Sequence, residues 1–190
     1  MKIRLLFTLV FAGSVLSLFP NNYSISSDIL LLDKALDLRP EYEGIKRVRI
    51  DSLMQALYLS DDPYYIYKNI YEEYKSYNYD TALIYVRLMQ EEARKKGDEK
   101  FMVDACIAKA FVYLSGGLFK EAYDILAPME SVYTNLPNLY YMTYARLLWD
   151  MADYAGGEKT IEYNAQARLY VEQIINRCSP ADSAQYWYPM

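Results

Sequence analysis

One stretch near the middle of the chain, residues 98–129, constrains the fold more than any other. Residues 101–115 are apolar at helical spacing. One side of this predicted helix carries Cys106, Ala110, Tyr113 and Leu114. Gly116-Gly117 then breaks the helix, and the segment 119–126 (FKEAYDIL) starts another. Two amphipathic helices separated by so short a break are typical of an antiparallel helical hairpin.

Small residues recur where the two helices of this hairpin would meet. Ala110 and Ala122 let the helices approach, while Tyr113 and Phe119 fill the space beside them. This pattern resembles the tetratricopeptide repeat (TPR). A second copy at 63–97 places Ala82 where the later hairpin has Ala122, 40 residues on (122 − 82). The resemblance implies an all-α fold, an α-solenoid in which antiparallel helix pairs stack as a right-handed superhelix. It also implies a binding scaffold.

Turn and capping signals divide the chain into predicted pairs. Asp61-Asp62-Pro63, Gly97 and Pro137 mark helix starts and stops. The predicted hairpins are about 27–59, 63–97, 99–132 and 137–177, and a further helix starts at 180–190. Because that helix starts so close to Met190, we expect the protein to continue beyond it.

The N-terminus has the pattern of an export signal. Lys2 and Arg4 precede the apolar run 5–19, which is too short to span a bilayer comfortably. We therefore predict a signal peptide at 1–24, a mature helical domain at 25–190, and a periplasmic or secreted location. The alternative is a buried N-terminal helix.

Composition argues against several functions. The net charge is −5, and without Lys2 and Arg4 it is −7, from 18 basic and 25 acidic residues, which disfavours nucleic-acid binding. The sequence has no histidine, no phosphate loop and no metal-spaced cluster. We predict a protein that is not an enzyme and needs no cofactor or metal. Cys106 and Cys178 are interpreted as separate thiols.

Tyrosine is the most unusual component, with 22 residues in the chain. Four of them, Tyr64, Tyr67, Tyr71 and Tyr74, follow one another at i, i+3, i+7 and i+10. They form one stripe on a predicted first helix, and tyrosine suits recognition because it offers a rigid ring and a hydroxyl. We predict that this stripe binds a protein or peptide partner. In the alternative interpretation the stripe packs on the preceding helix 41–59.

A second pair of candidates lies on the first helix of the hairpin at 137–177. Arg146 and Trp149 are placed at i and i+3 there. In stacked repeats, first helices line one continuous surface. We therefore predict that these two residues extend the partner-binding surface.

A longer resemblance covers residues 27–97. The segments ILLLDKALDLRP, RIDSL and YEEYKSYNYDTALIY occur together there. They resemble the N-terminal half of bacterial membrane-bound TPR regulators. In that family an exported repeat array is followed by a transmembrane helix, a coiled coil and a cytoplasmic DNA-binding domain. The resemblance implies a sensor tethered to the inner membrane in its full-length form, although this sequence has no transmembrane helix and no DNA-binding region. A glycan-binding helical protein of an outer-membrane uptake system is the alternative.

Overall fold

The structure, a computed structural model, describes residues 23–133 and 135–177, and those residues form helices and short connections without any strand. The helices are α1 Tyr23–Asp37, α2 Arg39–Leu59, α3 Tyr64–Tyr74, α4 Tyr79–Lys96, α5 Glu99–Ser115, α6 Phe119–Leu126, α7 Met129–Val132, α8 Asn138–Ala155 and α9 Gly157–Arg177. The predicted all-α fold is confirmed. Residues 1–22 of the predicted signal peptide and the helix at 180–190 lie outside the described residues. Within the described ranges, no helix has both the length and the apolar character needed to cross a membrane.

The chain divides into two compact units, residues 1–49 and residues 50–190. In the first unit every side chain from Ser27 to Arg49 is exposed except that of Lys46, which is half-buried. Only Leu38 separates α1 from α2, and a helical hairpin needs a loop of about 2–5 residues. The hairpin predicted for 27–59 is therefore not formed: its two helices follow each other without a reversing loop.

In the second unit, α3 and α4 form one pair, α5 and α6 the next, and α8 and α9 the third. Local capping explains the boundaries of α4. The Asn78 side chain accepts a hydrogen bond from the Thr81 amide (3.1 Å), which satisfies a free donor at the start of the helix. At its end Gly97 has a φ of 63°, a conformation that costs glycine little. The predicted bounds of α6, 119–126, and the predicted stop of α4 at Gly97 are confirmed.

The two glycines between α5 and α6 have different roles. Gly117 has a φ of 75°, and its amide donates to the Leu114 carbonyl (3.0 Å), while the Leu118 amide donates to the Tyr113 carbonyl (2.9 Å). Together these bonds close the helix end with a left-handed residue. Gly116 has a negative φ, but a Cβ there would lie 2.8 Å from the Tyr79 ring. The first glycine is needed for close approach, and the second for backbone conformation.

Helix α5 is buried on two sides and joins two hydrophobic clusters. Ala105, Ala108 and Val112 face the cluster built mainly from α3 and α4. Val103, Ile107, Ala110 and Leu114 face the cluster built with α6, α7, α8 and α9. Stacking neighbours on both faces of one helix is how repeat proteins bury a continuous core. Ala82, Ala110 and Ala122, the small residues that define the repeat, are each 0% exposed.

Candidate partner-binding surface

Tyr64, the first tyrosine of the predicted stripe, is a core residue. Its side chain is fully buried, and its ring stacks on Phe101 of α5 with 4.2 Å between centroids. Its hydroxyl donates to the Asp104 carboxylate (2.8 Å) and lies 2.9 Å from the Phe101 carbonyl. Lys68 Nζ donates to the same carboxylate (2.8 Å). Burial and the neighbouring carboxylate raise the pKa of Tyr64 far above its ordinary value, so the phenol stays neutral and acts as a donor.

Tyr71 is buried as well, with 4% of its surface exposed. Burial raises the pKa of its phenol, chiefly because the charged form would be poorly solvated. The prediction that all four phenols form an exposed stripe is therefore wrong for Tyr64 and Tyr71. The two side chains are buried because the neighbouring helix α5 covers this side of α3.

Tyr67 and Tyr74 lie on the adjacent side of α3 and are half-buried. Both rings lie near Tyr85 of α4, at centroid distances of 6.3 and 6.2 Å, and the Tyr74 ring is parallel to it. The Tyr85 hydroxyl in turn lies 3.6 Å from the Met54 sulfur of α2. These rings therefore pack against Tyr85 of α4, whereas the alternative interpretation placed them on the preceding helix 41–59. Their partner-binding role stays a prediction.

Arg146 and Trp149 are exposed on α8. Trp149 has 42% of its surface accessible. The Arg146 guanidinium lies over the Phe111 ring of α5, 5.3 Å from its centroid, and its Nε is 3.7 Å from the Asp150 carboxylate. The positioned guanidinium therefore lies one turn before an accessible indole on α8, and Phe111 belongs to the first helix of the preceding pair.

The structure adds further residues to the surface predicted from Arg146 and Trp149. Lys75, directly after α3, places its ammonium 5.4 Å from the centroid of the same Phe111 ring. Leu139 and Met142 precede Arg146 and Trp149 on α8 at helical spacing and are exposed by 48% and 36%. We call these four α8 residues, Leu139, Met142, Arg146 and Trp149, the α8 face. It is an apolar and aromatic surface with one guanidinium, and its composition matches that of protein-interaction hot spots.

The opposite side of α8 makes the packing contacts with the neighbouring helices, so the α8 face is not needed for them. Tyr140 is fully buried and its hydroxyl donates to the Leu126 carbonyl (3.2 Å). Tyr144 packs against Tyr170 of α9 with 4.5 Å between ring centroids. Arg177 lies over the Tyr141 ring (4.4 Å) and donates to the Leu136 carbonyl (2.8 Å). The packing of the third pair is thus complete without Arg146 or Trp149.

Sequence reasoning missed Asp104 and Phe111. Asp104 meets Lys68 from 36 positions away, and Phe111 meets Arg146 from the preceding pair. Neither contact leaves a local spacing signal. Superposing the two hairpins on Ala82 and Ala122 would have placed Asp104 and Phe111 on a first helix. It would not have identified the residues that they contact.

Groups suited to chemistry are scarce in this region. In the described part of the chain no group of three or more histidine, cysteine or acidic residues could hold a metal ion. Burial raises the pKa of the Cys106 thiol, which makes it a weak nucleophile. Cys178 lies outside the described residues, so the interpretation of separate thiols stays a prediction.

Comparison with known proteins agrees with this architecture. A family model described as the SusR N-terminal TPR domain matches residues 36–189. No curated protein and no solved structure matches the chain. TPR domains are typically non-catalytic scaffolds for protein–protein interaction. On the extent of this match, the chain belongs to the SusR N-terminal TPR domain family.

Proposed function

We propose that this protein is an exported, non-catalytic sensor module that binds a protein or peptide partner, and that it forms the N-terminal part of a membrane-bound transcriptional regulator. The family description supports an N-terminal repeat domain. The order of Lys2, Arg4 and the apolar run 5–19 supports export. The longer resemblance of residues 27–97 to membrane-bound TPR regulators supports the regulator.

The α8 face is the observation that carries the binding proposal. Its Trp149 ring is accessible although the third pair already has a filled tyrosine core. Arg146 already contacts Phe111 and Asp150, so its side chain would lose little conformational entropy on binding. Its charge is balanced by Asp150. We therefore infer that a partner docks through apolar and aromatic contacts, with the guanidinium setting orientation.

Site-specific photo-crosslinking tests this surface in the cell. A benzoylphenylalanine residue is placed at position 149, and the matched control places it at position 169, which is exposed on α9 (61%). We expect a defined protein adduct from position 149 and none from position 169. Equal adducts from both positions, or none from position 149 across growth conditions, would refute the α8 face as the binding site.

A glycan-binding protein is the second candidate, because an accessible indole such as Trp149 can stack on a sugar ring. Titration of the purified chain with a panel of neutral oligosaccharides separates the two functions. Saturable binding that is lost in Trp149→Ala, together with no protein adduct, would replace the peptide-binding proposal with this one.

Export is tested separately. Mass spectrometry of the protein recovered from the periplasmic fraction should find an N-terminus near residue 25. An intact Met1 in a cytoplasmic fraction would overturn the export proposal without affecting the α8 face.

A further inference from the structure

The N-terminal unit carries an apolar seam that no described residue of that unit covers. Leu31, Ala35, Leu38, Tyr42 and Ile45 recur at alternating intervals of four and three residues. That spacing is the seam of a coiled coil. Leu31, Tyr42 and Ile45 are exposed by 65%, 63% and 51%. Isolated exposed leucines are ordinary, but a seam continued over two heptads calls for a partner helix.

The helical spacing is maintained through the α1–α2 junction. The Leu38 amide donates to the Lys34 carbonyl (3.3 Å), and the Leu38 carbonyl accepts from the Tyr42 amide (3.2 Å). Leu38 therefore belongs to the hydrogen-bond ladders of both helices. Since this single residue leaves no loop in which the chain could reverse, residues 39–49 cannot fold back over α1. A second copy of the unit can supply the cover that the described residues 27–49 lack.

Charge distinguishes between the possible occupants. Helix α1 contains three aspartates and one lysine, a net charge of −2 that disfavours an anionic membrane surface. Residues 39–49 contain four basic and two acidic residues, a net charge of +2. The unit is therefore complementary to itself when a second copy runs antiparallel, because α1 of each copy then lies along residues 39–49 of the other.

The residues beside the seam select the same orientation. When Leu31 packs against Tyr42 of the second copy, and Ala35 against Leu38 of the second copy, Lys34 of each chain comes beside Glu41 of the other. The two inner layers then pair Ala35 with Leu38, the layers beside them pair Leu31 with Tyr42, and Ile45 lies opposite Asp28 at each end. In a parallel pair, Lys34 would instead face Arg39 of the second copy, which repels it.

We propose that this chain forms a two-fold symmetric dimer in which residues 28–46 of two copies pair as a short antiparallel coiled coil. Such an interface is isologous, since the same patch serves on both subunits. It goes beyond the proposed function and does not depend on it, because it uses only residues of the N-terminal unit.

Disulfide trapping tests the orientation. In the full chain with Cys106→Ala and Cys178→Ala, Leu31→Cys and Tyr42→Cys chains are mixed and oxidised with copper–phenanthroline. We expect a cross-linked dimer from the mixture and little from either variant alone. A Leu169→Cys chain, exposed on α9, serves as the unpaired control. Cross-linking of each single variant as efficiently as the mixture would show a parallel pair and overturn the antiparallel dimer.

Charge reversal tests the same contact without cysteine. Sedimentation equilibrium over a concentration series should show self-association of the wild-type chain. Lys34→Glu and Glu41→Lys should each raise the dissociation constant about tenfold, and the double variant should restore it. Circular dichroism confirms that each variant keeps its helix content.

Three results would overturn the dimer. One is a single-copy mass at every concentration. Another is tighter association of Lys34→Glu, which the parallel pair predicts. The third is a single-copy mass in solution combined with sedimentation on phosphatidylcholine vesicles that Leu31→Glu abolishes, which would make a lipid surface the occupant.

Discussion

Helices α3 and α8 are both first helices of a pair, yet the tyrosine stripe of α3 and the α8 face have different environments. On α3, Tyr64 and Tyr71 are buried, and Tyr64 donates to the Asp104 carboxylate of α5, which also accepts from Lys68 of α3. On α8, Trp149 stays accessible while Tyr140 and Tyr144 fill the core behind it. Helical spacing identifies a stripe, whereas the helices on either side decide whether the stripe is core or surface.

The largest expected effect is at Tyr64. Tyr64→Ala should lower the free energy of unfolding by about 3–5 kcal/mol, because it removes a buried ring. Tyr64→Phe keeps the ring and should cost about 1.5–3 kcal/mol, since the charged acceptor Asp104 loses one donor. Trp149→Ala, on the exposed stripe, should change stability by less than about 0.5 kcal/mol. Urea unfolding measures all three, and similar values for Tyr64→Ala and Trp149→Ala would remove the contrast between the stripes.

The close approach of α5 and α6 gives the next effect. Ala110 and Ala122 are both fully buried in one cluster. Replacing either with leucine should overpack the hairpin and cost about 1–3 kcal/mol. Chemical denaturation gives the value, and Ala165→Leu at an exposed position of α9 is the matched control. Unchanged stability in both core variants would argue against the repeat packing.

A smaller effect is expected at the glycine turn. Gly116→Ala places a Cβ 2.8 Å from the Tyr79 ring and should cost about 1–2 kcal/mol as that ring shifts. Gly44→Ala, where no atom lies within 4 Å, should instead stabilise α2 by about 0.5–1 kcal/mol. The melting temperatures of the two variants should therefore shift in opposite directions from that of the wild type. A Gly116→Ala chain as stable as the wild type would show that the ring is free to move.

The smallest expected effect concerns the start of α3. The Lys96 ammonium, which also lies over the Phe101 ring, holds the pKa of Asp62 below its ordinary value of 3.8. Because the pKa is lowered in the folded state, the pair stabilises the fold above pH 4 and loses that contribution as the pH falls through the folded pKa. NMR titration of the Asp62 carboxyl should show a pKa below 3.8 that rises in Lys96→Met. A pKa that does not respond to this substitution would exclude Lys96 as the cause.

Local signals predicted the helix pairs well. Gly97 and the glycine pair gave the end of α4 and the start of α6, because a helix end depends on residues within one turn. The hairpin at 27–59 was wrong because an amphipathic pattern does not specify a reversing loop, and a single residue cannot supply one. The burial of Tyr64 could not be predicted, since it depends on Phe101 and Asp104, 37 and 40 positions away.

We assign partner binding to the α8 face and core packing to Tyr64 and Tyr71 of α3. Isothermal titration of the partner captured at position 149 against the wild-type chain and Trp149→Ala tests this assignment most directly. We predict that Trp149→Ala raises the dissociation constant at least about tenfold, as expected for an aromatic hot spot, while its unfolding curve overlays that of the wild type. An unchanged dissociation constant in Trp149→Ala would contradict the claim.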